Sequence, residues 1–245
     1  MCGRYYVDQE DDLSEMRKIL TELNKKFQGQ QVLSEMRTGE IFPTHVAPVL
    51  QASDFMPATS ASDAQEKRQP ESAGAGTAAG TGDGKPGEMS SARQDQEDQG
   101  RKISPGLMRW GFERPYGSGV VINARAETAA EKPFFRQAFK QGRVLIPASS
   151  FFEWRKLDSS KQKVKLSLPD ESTFYMAGLS QPADDITGAR FVILTTAAQP
   201  AVAAIHDRQP LILPRSWLRS WVLDETLARQ LLSYVLEKQL QLQDV

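Results

Sequence analysis

Between Asp11 and Phe27 apolar residues return every three to four positions, so Leu13, Met16, Ile19, Leu20 and Leu23 share one side of a helix. That spacing predicts an amphipathic helix. The pattern breaks at Ile41–Leu50, where Pro43 and Pro48 interrupt an apolar run and indicate a turn leading into a strand. Beyond residue 105 the apolar runs are short and bounded by turn formers. Gly106–Gly111, Gly119–Ile122, Arg143–Ile146, Val164–Leu168, Thr173–Leu179 and Arg190–Thr195 read as strands. Phe134–Lys140 reads as a short helix. Trp217–Leu240 reads as a longer one, with Leu218, Trp221, Leu227, Leu231, Leu232 and Val235 as its buried stripe. Many strands and few helices predict an α+β fold around a curved or barrel-like, mainly antiparallel sheet.

Residues 52–102 follow neither period. Ala, Gly, Ser, Gln and Asp dominate, aromatics nearly vanish, and residues 74–84 read Gly-Ala-Gly-Thr-Ala-Ala-Gly-Thr-Gly-Asp-Gly. Such a segment cannot bury enough apolar surface to offset its ordering entropy. The expectation is a disordered insertion in a single domain spanning 1–245, because loop closure costs rise only slowly with length. The insertion holds nine acidic and six basic residues. The 31 acids and 30 bases of the whole chain therefore become 22 and 24 outside it. With a net charge of -1, any nucleic-acid site must be a local patch rather than a global field.

At 40% hydrophobic and 25% charged residues, the chain has the composition of a globular protein. No run approaches the ~18 apolar residues of a membrane span. The first residues, Met-Cys-Gly-Arg-Tyr-Tyr-Val-Asp, turn polar too soon for a signal peptide. A cytoplasmic monomer without a membrane partner is expected. Cys2 is the only cysteine, which excludes an intrachain disulfide and a cysteine-based zinc cluster. No metal or cofactor is expected. A lone cysteine is ordinarily a small buried hydrophobe. Position 2 favours an accessible thiol instead, since chain ends are rarely deep in a core.

Three polar residues follow apolar strands, where a rigid scaffold commonly presents reactive groups. Asn123 ends Val120-Val121-Ile122, Glu153 follows Ser150-Phe151-Phe152, and His206 opens His-Asp-Arg after the 190–195 strand. Each also has a structural reading: Asn123 as a turn residue, Glu153 as a partner of Arg155 or another surface base, His206 as a hydrogen-bonding scaffold group. Cys2, once Met1 is removed, would carry two nucleophiles on adjacent carbons. The unperturbed α-amine and thiol titrate at about 8 and about 8.5. With an aldehyde the amine forms a Schiff base and the thiol closes a thiazolidine, an intramolecular and hence entropically favoured step. Dehydration of the carbinolamine needs an acid, which suits a glutamate of raised pKa. A histidine can shuttle protons and a neutral amide can orient the amine.

The motifs Met1-Cys2-Gly3-Arg4-Tyr5, Trp110-Gly111, Ile122-Asn123-Ala124-Arg125-Ala126-Glu127-Thr128, Phe151-Phe152-Glu153-Trp154 and Ile205-His206-Asp207-Arg208-Gln209-Pro210-Leu211 resemble the signature blocks of the SRAP family (SOS-response-associated peptidase), the abasic-site processing proteins. The blocks occur in family order across most of the chain. The resemblance implies binding to single-stranded DNA containing abasic sites and a covalent thiazolidine between Cys2 and the ring-opened sugar aldehyde. It implies Cys2 as nucleophile, Asn123 as its positioning group, and Glu153 and His206 as acid–base groups. It also implies autoproteolytic removal of Met1, lyase chemistry and association with the nucleoid. Arg4, Arg125, Arg155 and Arg208 lie beside the motifs and are candidate phosphate contacts; Trp110 and Phe112 are candidate stacking platforms for a base.

Two departures from the family pattern stand out. His45-Val46-Ala47-Pro48 replaces a turn that begins with Asn in many relatives, leaving His45 as a substitute or as a structural residue. The Val-Asn block common near the family's C-terminus is missing, so part of the usual sheet is expected to be absent or supplied differently. Two other functions stay open on the sequence. One is an N-terminal-nucleophile peptidase or amidohydrolase in which the Cys2 amine serves as base. The other is a single-strand-binding module in which Cys2 is incidental.

Overall fold

A computed structural model describes residues 2–8, 15–54, 101–182 and 188–245. In chain order the strands are β1 (Arg4–Val7), β2 (Gly39–Ile41), β3 (Val46–Ala52), β4 (Ile103–Trp110), β5 (Phe112–Glu113), β6 (Val120–Val121), β7 (Asn123–Arg125), β8 (Arg143–Ala148), β9 (Ser150–Lys156), β10 (Lys161–Ser167), β11 (Phe174–Gln181), β12 (Arg190–Ala197), β13 (Arg208–Pro210), β14 (Ile212–Leu213) and β15 (Gln241–Asp244). The helices are α1 (Glu15–Lys26), α2 (Gln31–Glu35), α3 (Ala126–Ala129), α4 (Pro133–Gln141), α5 (Pro200–Ala203), α6 (Leu218–Leu223) and α7 (Glu225–Leu231).

The larger sheet runs β13-β12-β4-β3-β8-β11-β14, and β12 pairs with β11 as well. The ring β12–β4–β3–β8–β11 therefore closes on itself, which removes the open edges of its central strands. All its ladders are antiparallel except β12 with β4 and with β7. Near the closure, a side chain on Gly178 would meet Ile146 Cδ1 at 2.3 Å and the Val192 carbonyl oxygen at 2.7 Å, so only glycine allows that approach. The second sheet, β15-β10-β9-β1-β2, is antiparallel throughout. Only Ser149 separates β8 from β9, so one segment of chain leaves the barrel and enters the second sheet.

The α+β expectation with a barrel-like, mainly antiparallel sheet holds. Helix α1 buries Met16, Ile19, Leu20 and Leu23 as the spacing requires; Leu13 lies outside the described residues. Helix α4 starts with proline at its first turn and buries Phe135, Ala138 and Phe139. Most of the expected insertion, residues 55–100, also lies outside the described residues. Its two ends meet: Ser53 N–H donates to the Lys102 carbonyl at 2.7 Å, and Ala52 is in register with Ile103.

The long helix expected over Trp217–Leu240 is corrected. Asp224 leaves the helical backbone conformation and its carboxylate accepts the Leu227 N–H at 2.9 Å, capping a new helix. The segment becomes α6 and α7, then an irregular stretch, then β15. Val235 is 73% exposed rather than buried, because helical periodicity ends before it. β15 pairs with β10 as the last strand of the second sheet.

Candidate active site

Strand β1 carries the chain's first described residues between β2 and β9. Side-chain alternation then sorts the neighbourhood into two faces. Tyr5, in register with Phe151, points inward, and Glu153 lies on the same side of β9; Arg4, Phe152 and Trp154 face the other way.

Cys2, Asn123, Glu153 and His206 converge on the inward side. Asn123, at the start of β7, donates from Nδ2 to the Cys2 carbonyl at 2.9 Å, and its Oδ1 has no partner among the described residues. The Cys2 thiol donates to the Arg4 carbonyl at 3.3 Å. Burial pushes that thiol well above its ordinary range, and the nearby Glu153 carboxyl pushes it further. Glu153 is itself raised by burial, while the positive charge available to His206 acts in the opposite direction. A carboxyl in so dry a place holds its proton to higher pH than an exposed one.

His206 sits after α5 with its side chain 29% exposed. Its Nδ1 accepts the Arg208 backbone N–H at 3.0 Å and lies 2.9 Å from the Asp207 carboxylate. A backbone amide can only donate, so Nδ1 is the bare nitrogen and the neutral ring carries its proton on Nε2. The exposed Asp207 carboxylate becomes a partner of Nδ1 only when the ring takes a second proton.

The expectation of an accessible Cys2 is corrected: it is 0% exposed. Strand β1 anchors the chain end between two neighbours, and Asn123 ties the Cys2 carbonyl down. Tyr5, which sequence reasoning passed over, is also fully buried beside Cys2. Its phenol is pushed up by burial and by the Cys2 charge. Strict alternation in Arg-Tyr-Tyr-Val would have suggested that it faces inward.

Trp110 is corrected as a stacking platform. It has no exposed surface, donates from Nε1 to the Ile122 carbonyl at 2.9 Å, lies parallel to Phe191 at 6.3 Å and meets Tyr5 edge-on at 5.2 Å. Gly111 follows at φ +114°, with Val120 in the space a side chain would need. The Trp-Gly pair thus inserts an indole into the core and turns the backbone away. Phe112 is likewise 0% exposed. Neither ring can meet a base without opening the core.

The four arginines differ from one another. Arg125 is exposed at the end of β7. Arg4 bonds Glu40 at 3.0 Å, and its guanidinium lies 4.4 Å from the Phe42 ring centroid and 4.9 Å from that of Trp154. Arg155 pairs with Asp244 at 2.9 Å. Arg208 is 12% exposed and corrected to a scaffold group. Its two terminal nitrogens grip both Glu127 oxygens at 2.6 and 2.8 Å and the Thr195 carbonyl at 2.5 Å, and its Nε is buried, so the guanidinium is engaged within the fold. His45 is a turn residue: Nδ1 accepts the Phe42 N–H at 3.3 Å, next to Thr44 at φ 73°. Burial and the charges of Arg37 and Arg109 hold its imidazole below the usual range.

Among the described residues, no group of three or more His, Cys, Asp or Glu side chains is arranged to hold a metal ion, and no helix is long and apolar enough to cross a membrane.

Comparison with known proteins gives these elements relatives. Abasic site processing protein YoaM of Bacillus subtilis (strain 168) is 36% identical over 126 residues, covering 48% of this chain and 56% of that protein. Abasic site processing protein YedK of Escherichia coli (strain K12) is 33% identical over 121 residues, covering 47% and 54%. The chain thus spans about half the length of the curated relatives it matches. A crystal structure of a Bordetella bronchiseptica protein aligns over 100% of this chain and 99% of its own with a TM-score of 0.60 at 16% identity, a likeness of fold. One from Bacteroides thetaiotaomicron aligns over 58% and 69%, with a TM-score of 0.50 at 26% identity. The family described as SOS response associated peptidase (SRAP) matches residues 1–245, and with motifs, fold and relatives in agreement, the chain belongs to the SRAP family.

Proposed function

We propose that the protein processes abasic sites in single-stranded DNA by joining Cys2, freed of Met1, to the ring-opened sugar aldehyde as a thiazolidine. The observation that carries this reading is the gathering of Cys2, Asn123, Glu153 and His206, from distant parts of the chain, around one nucleophile. Removal of Met1 turns the Cys2 amide nitrogen into an α-amine. That amine adds to the aldehyde carbon to give a carbinolamine. Glu153, kept protonated by burial, protonates the departing hydroxyl, which leaves as water. The thiol sulfur then adds to the iminium carbon and its proton returns to the Glu153 carboxylate, so one aldehyde and one cysteine give one thiazolidine and one water. Asn123 fixes the Cys2 carbonyl and offers Oδ1 as an acceptor for the amine. His206 relays protons through Nε2 with Asp207 as counter-ion. The same groups would serve Met1 removal, reversal of the adduct and lyase chemistry.

The test uses Met1-processed protein and a single strand bearing one abasic site. A heat-stable, slower-migrating band is expected with the wild type and none with Cys2→Ala. A band that persists in Cys2→Ala, or its absence in the wild type, overturns the reading.

A further inference from the structure

Two residues after Cys2 the chain surfaces on the outward face of the second sheet, where Arg4 meets a second cation through one shared carboxylate. Glu40 on β2 accepts from Arg4 at 3.0 Å through Oε1 and from Lys163 on β10 at 2.7 Å through Oε2. Arg4, Glu40 and Lys163 keep 35%, 27% and 25% of their side chains exposed, so the triad is within reach of a ligand in solvent. Both cations are also held by rings. Arg4 lies against Phe42 and Trp154, and Lys163 lies 4.1 Å from the Phe152 ring centroid. Their placement therefore survives loss of the carboxylate, because cation–π contact and packing hold them.

Resting on the proposed single-strand function, we propose that Glu40 is a specificity-determining residue: it occupies Arg4 and Lys163 and so suppresses backbone binding by intact strands. A negative charge between two cations lowers the number of phosphates they can neutralise, which is the sequence-independent part of strand affinity. An abasic strand gains a covalent bond at Cys2 and tolerates that loss; an undamaged strand has nothing to replace it. Discrimination arises by weakening the wrong ligand rather than by tightening the right one.

The test is fluorescence anisotropy of a labelled oligothymidine strand over a salt titration, with wild-type protein and Glu40→Gln, beside the abasic-strand crosslinking assay. Glu40→Gln should bind the intact strand about tenfold more tightly at low salt, with the log–log salt slope steeper by roughly 0.7 for each phosphate gained. Its crosslink yield at saturating abasic strand should match the wild type. Adding Lys163→Gln to Glu40→Gln should remove about half of the gain in the logarithm of affinity, since two cations share it. Glu40→Ser repeats the measurement, so a folding defect in one variant, read by circular dichroism, does not decide the outcome. Wild-type crosslinking together with unchanged or weaker oligothymidine binding by Glu40→Gln overturns this inference and leaves the proposed function standing. Neither strand binding nor crosslinking by the wild type overturns both.

Discussion

The two faces of the second sheet use the same kinds of residue for opposite ends. On the inward face a carboxyl, Glu153, is buried near Cys2 and His206, and burial raises its pKa. On the outward face a carboxyl, Glu40, sits between two cations, and hydrogen bonds to Lys163 and Arg4 overcome the opposing effect of burial to lower its pKa. One carboxyl is tuned to hold a proton, the other to hold charge. Side-chain alternation makes this possible within one sheet, with Glu153 on β9 and Glu40 on β2 either side of β1. A reactive site needs dryness to shift pKa values, whereas strand binding needs charge that water can reach.

Glu153 carries the largest expected effect. Glu153→Gln should slow crosslinking about 10²-fold, the lower end of general-acid effects, as read by single-turnover kinetics. The wild-type rate should fall as pH rises through the raised Glu153 pKa, and that limb should vanish in the variant. Stability should follow the same group. Its folded pKa lies above its unfolded one, so the stabilisation it gives at low pH is lost as pH rises from about 4.3 through the folded value. The wild-type melting temperature should therefore decline across that window, while the Glu153→Gln contribution stays flat. A wild-type profile no steeper than the variant's would remove the acid role.

Trp110 sharpens the boundary between core and binding face. Trp110→Phe leaves the Ile122 carbonyl without its indole donor, at a cost of about 1–3 kcal/mol in denaturant unfolding. Strand affinity should stay within about twofold of the wild type; a large loss of affinity with little loss of stability would return Trp110 to the binding surface. Arg155 gives the smallest effect. Its pair with Asp244 is on the surface, so Arg155→Ala should change stability by less than about 1 kcal/mol. The salt slope of strand binding should be unchanged, and a slope shallower by roughly 0.7 would make Arg155 a phosphate contact.

Legibility in the sequence followed the range of the interactions involved. Helix α1 was readable because its stripe of Met16, Ile19, Leu20 and Leu23 is a local repeat. Helix α4 was readable from its apolar positions and leading proline. The break at Asp224 was less so: a capping carboxylate competes with a continuous pattern of leucines, and only the neighbouring strands decide which wins. Trp110 read equally well as core or as platform, since an indole between apolar residues suits both. Its bond to Ile122 across 12 positions settled the matter. Arg208 beside a motif suits a phosphate contact on sequence grounds, whereas its bond to Glu127, 81 residues away, is a tertiary fact.

For the site, the sequence by itself determined the inventory: one cysteine at position 2, and an asparagine, a glutamate and a histidine at the ends of apolar runs. It also determined that an α-amine on Cys2 requires the loss of Met1, since that is a covalent fact. Tertiary structure alone decided that Cys2 is buried, that Asn123 holds its carbonyl, that Glu153 is dry enough to keep a proton, and that Glu40 stands between Arg4 and Lys163. Burial and pairing depend on what lies across the sheet, and residues 36 and 123 positions away meet Arg4 and Glu40 only once the strands are in register.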